Sequence, residues 1–258
     1  HRQSRPGEAN PMNTCFRRYA AMSLRARRDL ALTFIQPLVY LALFGPLFVT
    51  TMKMSQRATA ATGYSLYITG LSIQMAMTIG AFAGLTIILE YRLGILERIW
   101  STPLTGSKMM AGRIARDVVM MMMPILVVFI IGLVLGTRPS PLGLATYFVT
   151  VLGTGATFAG VSYAVALRTK SEAALSAIFN LILLPILLLS GIMLPMSFAP
   201  HWIATAAHVN PLWYLVQGAR NQFSVLGLVA AAPWSWAVAI VMSAAAFGWA
   251  SHEFNKRR

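Results

Sequence analysis

Side chains that could act as nucleophiles or metal ligands are few in this sequence. Cys15 is its single cysteine, which excludes an intramolecular disulfide framework and a cysteine-rich metal site. No histidine has convergent ligands at helical spacing; the four are His1, His201, His208 and His252. We therefore predict no catalytic residue and no metal site in this chain.

A glycine-rich run at 153–160 raises the question of phosphate binding. A phosphate-binding loop needs the pattern G-x-x-x-x-G-K-[ST], whose lysine reaches the phosphates, and the sequence contains no such pattern. The run lies inside an apolar stretch, where small residues allow helices to pack closely. We interpret it as a packing surface, so any energy from ATP must come through a separate subunit.

Polar side chains within apolar stretches are the remaining candidates for ligand contact. They fall into three groups at helical spacing: Ser65, Thr69 and Ser72; Gln74 and Thr78; and Ser176 and Asn180. Because hydrocarbon penalises an unpaired amide or hydroxyl, such groups bond between helices, line a wet cavity or contact a substrate. The sequence leaves these alternatives open.

The composition shows what kind of element holds these residues. The chain has 258 residues, of which 57% are hydrophobic and only 11% charged, against roughly 25% in a soluble domain. A soluble protein of this size could not cover its surface with so few charges, which argues against a soluble enzyme. The net charge of +14 suggests nucleic acid as a partner unless the position of the charges explains it.

Membrane-spanning helices explain the apolar stretches. A span needs about 20 apolar residues, and the sequence has six candidates at about 30–52, 64–89, 114–136, 143–167, 172–194 and 233–252. The first is too long, and too far from the start of the sequence, for a cleaved signal. A further stretch, 196–228, is interrupted by proline, asparagine and arginine, which favours a re-entrant or interfacial hairpin.

The basic residues predict the orientation. Seventeen of the 21 Lys and Arg residues lie before the first span, between spans two and three, at 168–172 or in the tail. The positive-inside rule then places both termini and the 90–117 loop in the cytoplasm, in a multi-pass plasma (inner) membrane protein. The charge is thus a topology signal, and nucleic acid is not a predicted partner. All seven acids lie in cytoplasmic segments or at their edges, which argues against an ion-coupled carrier.

Two cytoplasmic segments have amphipathic patterns. Residues 13–30 gather apolar side chains on one face and arginines opposite, which favours an interfacial helix over an ordinary charged flank. In 90–108, Leu93, Leu96, Ile99 and Trp100 recur at helical spacing, and Pro103 ends the pattern. Exposed apolar side chains at this spacing suit docking into a partner's groove, although a helix lying on the membrane has the same periodicity.

Two motifs carry a family resemblance. The run E-Y-R-L-G-I-L-E-R-I-W-S-T-P-L from Glu90, followed by S-K-M-M-A-G-R, resembles the region between the second and third helices of ABC type-2 transporter permeases. The block S-G-I-M-L-P from Ser190, with P-H-W, N-P-L-W-Y and Arg220 after it, is similar to the outer re-entrant region of that family. The resemblance covers roughly 13–253 and is closest to the daunorubicin-resistance (DrrB-type) drug-efflux branch.

The resemblance implies an all-α membrane protein in which 1–258 form a single permease domain. It makes 13–30 a connecting helix, 90–108 a coupling-helix loop and 196–228 an extracellular re-entrant region. The residues implied to contact an ATP-binding subunit are Glu90, Arg92, Leu93, Gly94, Leu96, Glu97, Arg98, Ile99, Trp100, Thr102 and Pro103. Those implied at an extracellular gate are Pro195, Pro200, Trp202, Asn210, Pro211, Tyr214 and Arg220.

The resemblance also implies partners and a transport path. Two copies of an ATP-binding-cassette ATPase would hold ATP and Mg²⁺, while this chain binds no cofactor itself. A second permease copy, in a homodimer or a heterodimer, would enclose with this one a path lined by spans two and five. Within those spans the path candidates are Thr69, Ser72, Gln74, Thr78, Ser176 and Asn180. Membrane lipids would surround the assembly.

Together these observations predict the permease subunit of an ATP-driven exporter of a hydrophobic or amphipathic drug or lipid-like molecule. A polysaccharide or lipo-oligosaccharide permease is the nearest alternative and would need a path dense in aromatic side chains. An ion-coupled secondary carrier and a non-transporting scaffold are alternatives from other classes.

Overall fold

The computed structural model describes residues 27–54, 60–96, 106–192, 200–223 and 232–256. These residues are helical, with short turns between helices, and contain no β-strand. The helices are α1 (Arg27–Met54), α2 (Ala60–Phe82), α3 (Leu85–Arg92), α4 (Gly106–Val134), α5 (Pro141–Thr169), α6 (Glu172–Leu189), α7 (His201–Ala207), α8 (Pro211–Phe223) and α9 (Ala232–Lys256). The predicted all-α class is confirmed for this part of the chain.

Five helical segments of the described residues are long and apolar enough to cross a membrane. They are Gly63–Arg92, Gly106–Val134, Pro141–Thr169, Glu172–Leu189 and Trp234–Lys256. The first predicted span corresponds to α1, whose apolar stretch Ile35–Thr51 is shorter than these five. The predicted interfacial helix lies outside the described residues except for 27–30, which belong to α1. The predicted re-entrant region contains the two short helices α7 and α8.

Helix α5 lies at the centre of the bundle and packs along both α2 and α9. Its start follows from its sequence: the Ser140 hydroxyl accepts a hydrogen bond of 3.0 Å from the Gly143 amide, and Pro141 occupies the first turn. A Cβ atom on Gly80 of α2 would lie 2.6 Å from the Gly155 carbonyl oxygen, and one on Gly160 would lie 3.0 Å from the Ala246 Cβ of α9. The interpretation of 153–160 as a packing surface is therefore confirmed.

The threonines of α5 satisfy their hydroxyls within the bundle. Thr146, Thr150, Thr154 and Thr157 each donate a hydrogen bond to the carbonyl four residues earlier on the same helix. Neighbouring helices add further bonds, because the Trp236 indole donates to the Thr146 hydroxyl and the Ser243 hydroxyl donates to the Gly153 carbonyl. A row of polar side chains can therefore lie in the core without leaving unpaired groups.

The chain bends between α2 and α3 at Gly84, which approaches α5 closely. A Cβ on Gly84 would lie 2.5 Å from the Ser162 carbonyl oxygen, so only glycine fits without a shift. The Ser162 hydroxyl accepts a hydrogen bond of 2.9 Å from the Gly84 amide and donates one to the Ala81 carbonyl. Ser162 thus satisfies backbone groups on both sides of the bend, and this positions α3.

The bundle has two ends, which we name after the short helices found there. The α3 end contains α3, the start of α6 and the last turns of α5 and α9. The α8 end contains α7, α8 and residues 190–192 after α6. At this end the Asn210 side-chain amide donates to the Ile186 carbonyl at 2.9 Å, and its oxygen accepts from the Leu212 amide at 3.1 Å. Asn210 therefore caps the start of α8 and links that helix to α6.

Candidate transport site

Helix α3 carries the first two residues of the predicted coupling set, and each pairs with a different helix. The Arg113 Nη2 atom of α4 donates to Glu90 Oε2, and both side chains are largely shielded from solvent. The Arg92 Nη1 atom lies 2.9 Å from Glu172 Oε1 of α6, and this pair is exposed. Glu90 and Arg92 therefore link α3 to α4 and α6.

The chain after α3 does not continue as one amphipathic helix. Gly94 has a φ of +68°, a left-handed conformation that follows the end of α3 at Arg92 and changes the phase of the residues after it. Leu93 is 64% exposed and Ile95 is 42% exposed, whereas Leu96 is 1% exposed and packs beside Ile87 and Ile88. The predicted exposure of Leu96 is wrong, and Ile95 is an exposed apolar side chain instead. Glu97, Arg98, Ile99, Trp100, Thr102 and Pro103 lie outside the described residues.

Sequence analysis missed two further pairings at the α3 end. Lys170, in a left-handed conformation after α5, donates to the Tyr91 hydroxyl at 3.0 Å and lies 4.3 Å from the centre of its ring. Arg168 pairs with Glu253 of α9 at 2.7 Å and lies over the Trp249 ring. The basic residues at the end of an apolar helix could have indicated that polar partners lie near them. Their partners could not be identified, because they are distant in the sequence. Together the four ion pairs and polar contacts join α3 to α4, α5 and α6, and α5 to α9.

The structure separates the predicted path residues into three groups. Thr69 and Ser72 are fully buried: their hydroxyls donate to the carbonyls of Ser65 and Ile68, and Ser72 also accepts from the Tyr147 hydroxyl of α5. Gln74 and Thr78 are half-buried and line a cavity. On α6, Ser176 is half-buried and Asn180 is exposed. Thr69 therefore bonds within α2, Ser72 also bonds to α5, and the other two groups remain predictions for a path.

The cavity has a volume of about 370 Å³ and lies between α1, α2 and α4. That volume lies within the range of small-molecule pockets, about 300–1,000 Å³. Most of its wall is apolar, and its polar side chains are Gln36, Tyr40, Gln74, Thr78 and Asp117. Asp117 is a lining residue that sequence analysis missed, because it lies at the edge of a predicted span and its contacts come from another helix.

The α8 end is built around a buried arginine. Arg220 donates to three backbone carbonyls, from Nε to Leu66 at 3.3 Å, from Nη1 to Gly191 at 2.8 Å and from Nη2 to Ile192 at 3.0 Å. It also lies over the Phe48 ring of α1. Arg220 therefore joins α8 to α2 and to the end of α6.

The other predicted gate residues differ in their exposure to solvent. Asn210 is buried, whereas Pro200, Trp202, Pro211 and Tyr214 are exposed. The Tyr214 hydroxyl donates to the His208 carbonyl at 3.1 Å. Pro195 lies outside the described residues. Whether these residues form a gate stays a prediction.

Comparison with known proteins decides the family. The family model described as ABC-2 type transporter matches residues 12–224, which is most of the chain and includes α1 to α8. The chain belongs to the ABC-2 type transporter family. Its five long apolar helical segments agree with a multi-pass membrane protein, and permeases of this family typically pair with an ATP-binding subunit.

Individual relatives agree with this assignment. The ABC-2 permease is similar to proteins named "Putative transport permease ycf38" in three organisms: 30% identical over 199 residues in Pyropia yezoensis, 26% over 195 in Porphyra purpurea and 27% over 196 in Cyanophora paradoxa. Each match covers 74% of this chain and 66% of the relative, so the matched region spans a little under two thirds of the relatives' length. No solved structure matches the chain. Among the described residues, no group of three or more His, Cys, Asp or Glu side chains could hold a metal ion.

Proposed function

We propose that this ABC-2 permease is the transmembrane subunit of an ATP-driven exporter. It moves a hydrophobic or amphipathic drug or lipid-like molecule outward, using ATP and Mg²⁺ held by two copies of a separate ATP-binding-cassette subunit. The observation that carries the proposal is the cavity of about 370 Å³, lined mostly by apolar side chains, in a chain of this transporter family. Membership of the daunorubicin-resistance (DrrB-type) branch is part of the proposal, as are six spans with both termini in the cytoplasm.

The α3 end is the proposed contact with the ATPase. Leu93 and Ile95 expose apolar side chains beside Gly94, directly after a helix that is ion-paired to two others. A groove on a partner could bind these side chains. The ion pairs of Glu90 and Arg92 would then pass a displacement of α3 on to α4 and α6. The α8 end would lie on the extracellular side and form the gate.

Helix α6 supports the proposal of a second permease copy. It exposes Leu181, Leu184 and Leu188, and it also exposes the amide of Asn180, which lipid would leave unpaired. A second copy, identical or related, that packs near this face would give the amide a partner and enclose a path between the two permeases. Ser176 and Asn180 would then line that path together with Gln74 and Thr78 from the cavity side.

The nature of the cavity wall bears on the alternative substrates. A path for polysaccharide or lipo-oligosaccharide would need stacked aromatic side chains, whereas Tyr40 and Phe82 are the aromatic residues among the described lining of the cavity. The aliphatic wall therefore favours an amphipathic substrate. An ion-coupled carrier would use Asp117, the carboxylate in the wall, and needs its own test.

Reconstitution tests the proposal. The permease is placed in liposomes with and without its ATP-binding subunit, and the movement of a fluorescent amphipathic compound is followed after addition of ATP and Mg²⁺. We expect movement only with both subunits and hydrolysable ATP. Movement driven by an ion gradient in liposomes that hold the permease alone would establish the carrier instead. If the permease neither transports nor changes ATP hydrolysis by the subunit, it is a scaffold.

A further inference from the structure

Asp117 places a carboxylate in the wall of an otherwise uncharged cavity. It is located on α4, and the rest of the described lining comes from α1, α2 and Met120 of α4. No Lys or Arg is among the described lining residues. The amides of Gln36 and Gln74 and the hydroxyls of Tyr40 and Thr78 also line the cavity, and the remainder of its described lining is aliphatic or aromatic.

The Asp117 carboxylate is held by a hydrogen bond from α5 and by one neighbouring residue. The hydroxyl of Tyr163, a fully buried residue, donates to Asp117 Oδ2. Arg116, the preceding residue, donates from Nε and Nη2 to Oδ1 at 3.2 and 3.0 Å. A carboxylate oxygen has two lone pairs, so Oδ2, which accepts one hydrogen bond from Tyr163, keeps acceptor capacity, whereas Oδ1 already accepts two from Arg116.

Arg116 pairs with this carboxylate but is not among the described residues that line the cavity. The Arg116 side chain is half-exposed, so water screens its end of the pair, whereas the Asp117 side chain is only 13% exposed. A cation inside the cavity would meet a carboxylate that is largely shielded from solvent, where the attraction between charges is stronger.

We propose that the cavity between α1, α2 and α4 binds the cationic end of an amphipathic molecule, with Asp117 as the counter-ion. The aliphatic side chains of Leu71, Met75 and Ile79 contact the apolar part of the molecule, and Gln74, which also lines the cavity, offers a hydrogen-bond partner. Tyr163 is a positioning residue, since it fixes the orientation of the carboxylate without lining the cavity. Transport of this molecule rests on the proposed function, but its binding does not.

Two lipophilic ions of nearly the same size and shape test the site, tetraphenylphosphonium and tetraphenylborate. Binding of each is measured to the purified full chain in lipid nanodiscs, with empty nanodiscs subtracted. We expect Asp117→Asn to weaken phosphonium binding about tenfold, the scale of a charge-assisted contact. We expect tetraphenylborate binding to stay equal or to improve. The matched control is Glu172→Gln, which neutralises an exposed acid at the α3 end and leaves both affinities unchanged.

Two further variants separate binding from structure. Met120→Trp keeps the carboxylate but fills the cavity from its exposed rim, and it should reduce binding of both ions. Tyr163→Phe removes the hydrogen bond to Asp117 and should change phosphonium affinity less than Asp117→Asn does. If Asp117→Asn binds tetraphenylphosphonium as tightly as the natural chain does, the site is refuted. The same conclusion follows if Met120→Trp has no effect on binding of either ion, and this second test remains valid even if Asp117→Asn proves too unstable to measure.

The binding assay and the transport assay fail independently. Loss of phosphonium binding in Asp117→Asn, with no ATP-driven transport by any variant, would support the site and overturn the exporter. Transport of phosphonium by the complex at an undiminished rate in Asp117→Asn would overturn the site and leave the exporter standing.

Discussion

The guanidinium of Arg220 donates a hydrogen bond of 2.8 Å to the carbonyl oxygen of Gly191, although the two residues lie 29 positions apart. Gly191 lies in the turn that follows α6, which ends at Leu189. The arginine therefore holds this turn in place and at the same time holds α8 against α2. A single side chain joins three helices at this end of the bundle.

Replacing Arg220 should destabilise the fold. Arg220→Met leaves the carbonyls of Leu66, Gly191 and Ile192 without their donor, and we expect a loss of about 2–4 kcal/mol, the scale of a few hydrogen bonds to a charged group. Thermal unfolding in nanodiscs measures the loss. Arg138→Met, which removes an exposed arginine, should leave the unfolding temperature nearly unchanged. Equal stability of the two variants would contradict the role of Arg220 in joining these helices.

The residues around Gly94 should separate partner binding from folding. Leu93→Ala removes an exposed side chain, so we expect normal stability but weaker co-purification with the ATP-binding subunit. Leu96→Ala leaves a void among buried side chains and should cost about 2–5 kcal/mol of stability. Unfolding curves and pull-down yields are measured for both variants. If Leu93→Ala binds the subunit as tightly as the natural chain, the proposed contact is wrong.

The two ion pairs of α3 should differ in strength. The Glu90–Arg113 pair is shielded, so Arg113→Met strands a carboxylate and should cost about 3 kcal/mol, the lower part of the range for breaking a buried pair. The Arg92–Glu172 pair is exposed, and a double-mutant cycle on it should give about 0–1 kcal/mol. The same cycle on Glu90 and Arg113 should give a clearly larger coupling energy. Similar coupling energies would show that α3 is not held more firmly to α4 than to α6.

Gly84 should tolerate no side chain. Gly84→Ala brings a Cβ within 2.5 Å of the Ser162 carbonyl oxygen, and the shift needed to relieve this contact should cost about 1–3 kcal/mol. Gly112→Ala is the matched control, because a Cβ there meets no atom within 4 Å and alanine favours the helix. We expect this control to be neutral or slightly stabilising in the same unfolding assay. A neutral Gly84→Ala would mean that α2 and α5 can separate at low cost.

The sequence predicted the helices far better than the contacts between them. Runs of apolar residues are a local property, and five of the six predicted spans correspond to described helical segments that are long and apolar enough to cross a membrane. The exposure of Leu96 failed because one positive φ at Gly94 changes the phase of a helical pattern, which periodicity alone does not reveal. In the sequence, Thr69 and Ser72 are polar residues on one helix and were therefore path candidates. In the structure, the Tyr147 hydroxyl of α5 donates a hydrogen bond to the Ser72 hydroxyl.

The position of Asp117 in the cavity wall could not be predicted from a single sequence. Asp117 lies at the edge of an apolar run, where an acid usually faces headgroups. In the structure it accepts a hydrogen bond from Tyr163, which is 46 positions away on another helix. The gate and coupling residues were assigned from a resemblance, and their roles depend on partner chains, so they remain predictions.

The threonine row of α5 has a consequence for hydration. A hydroxyl that donates to its own helix, as at Thr146, Thr150, Thr154 and Thr157, has no proton left for another acceptor, although its oxygen can still accept. This row therefore offers water acceptors but no hydroxyl donors. Under the proposed function, a substrate would pass along an outer flank of the bundle, where a second copy would supply the facing wall.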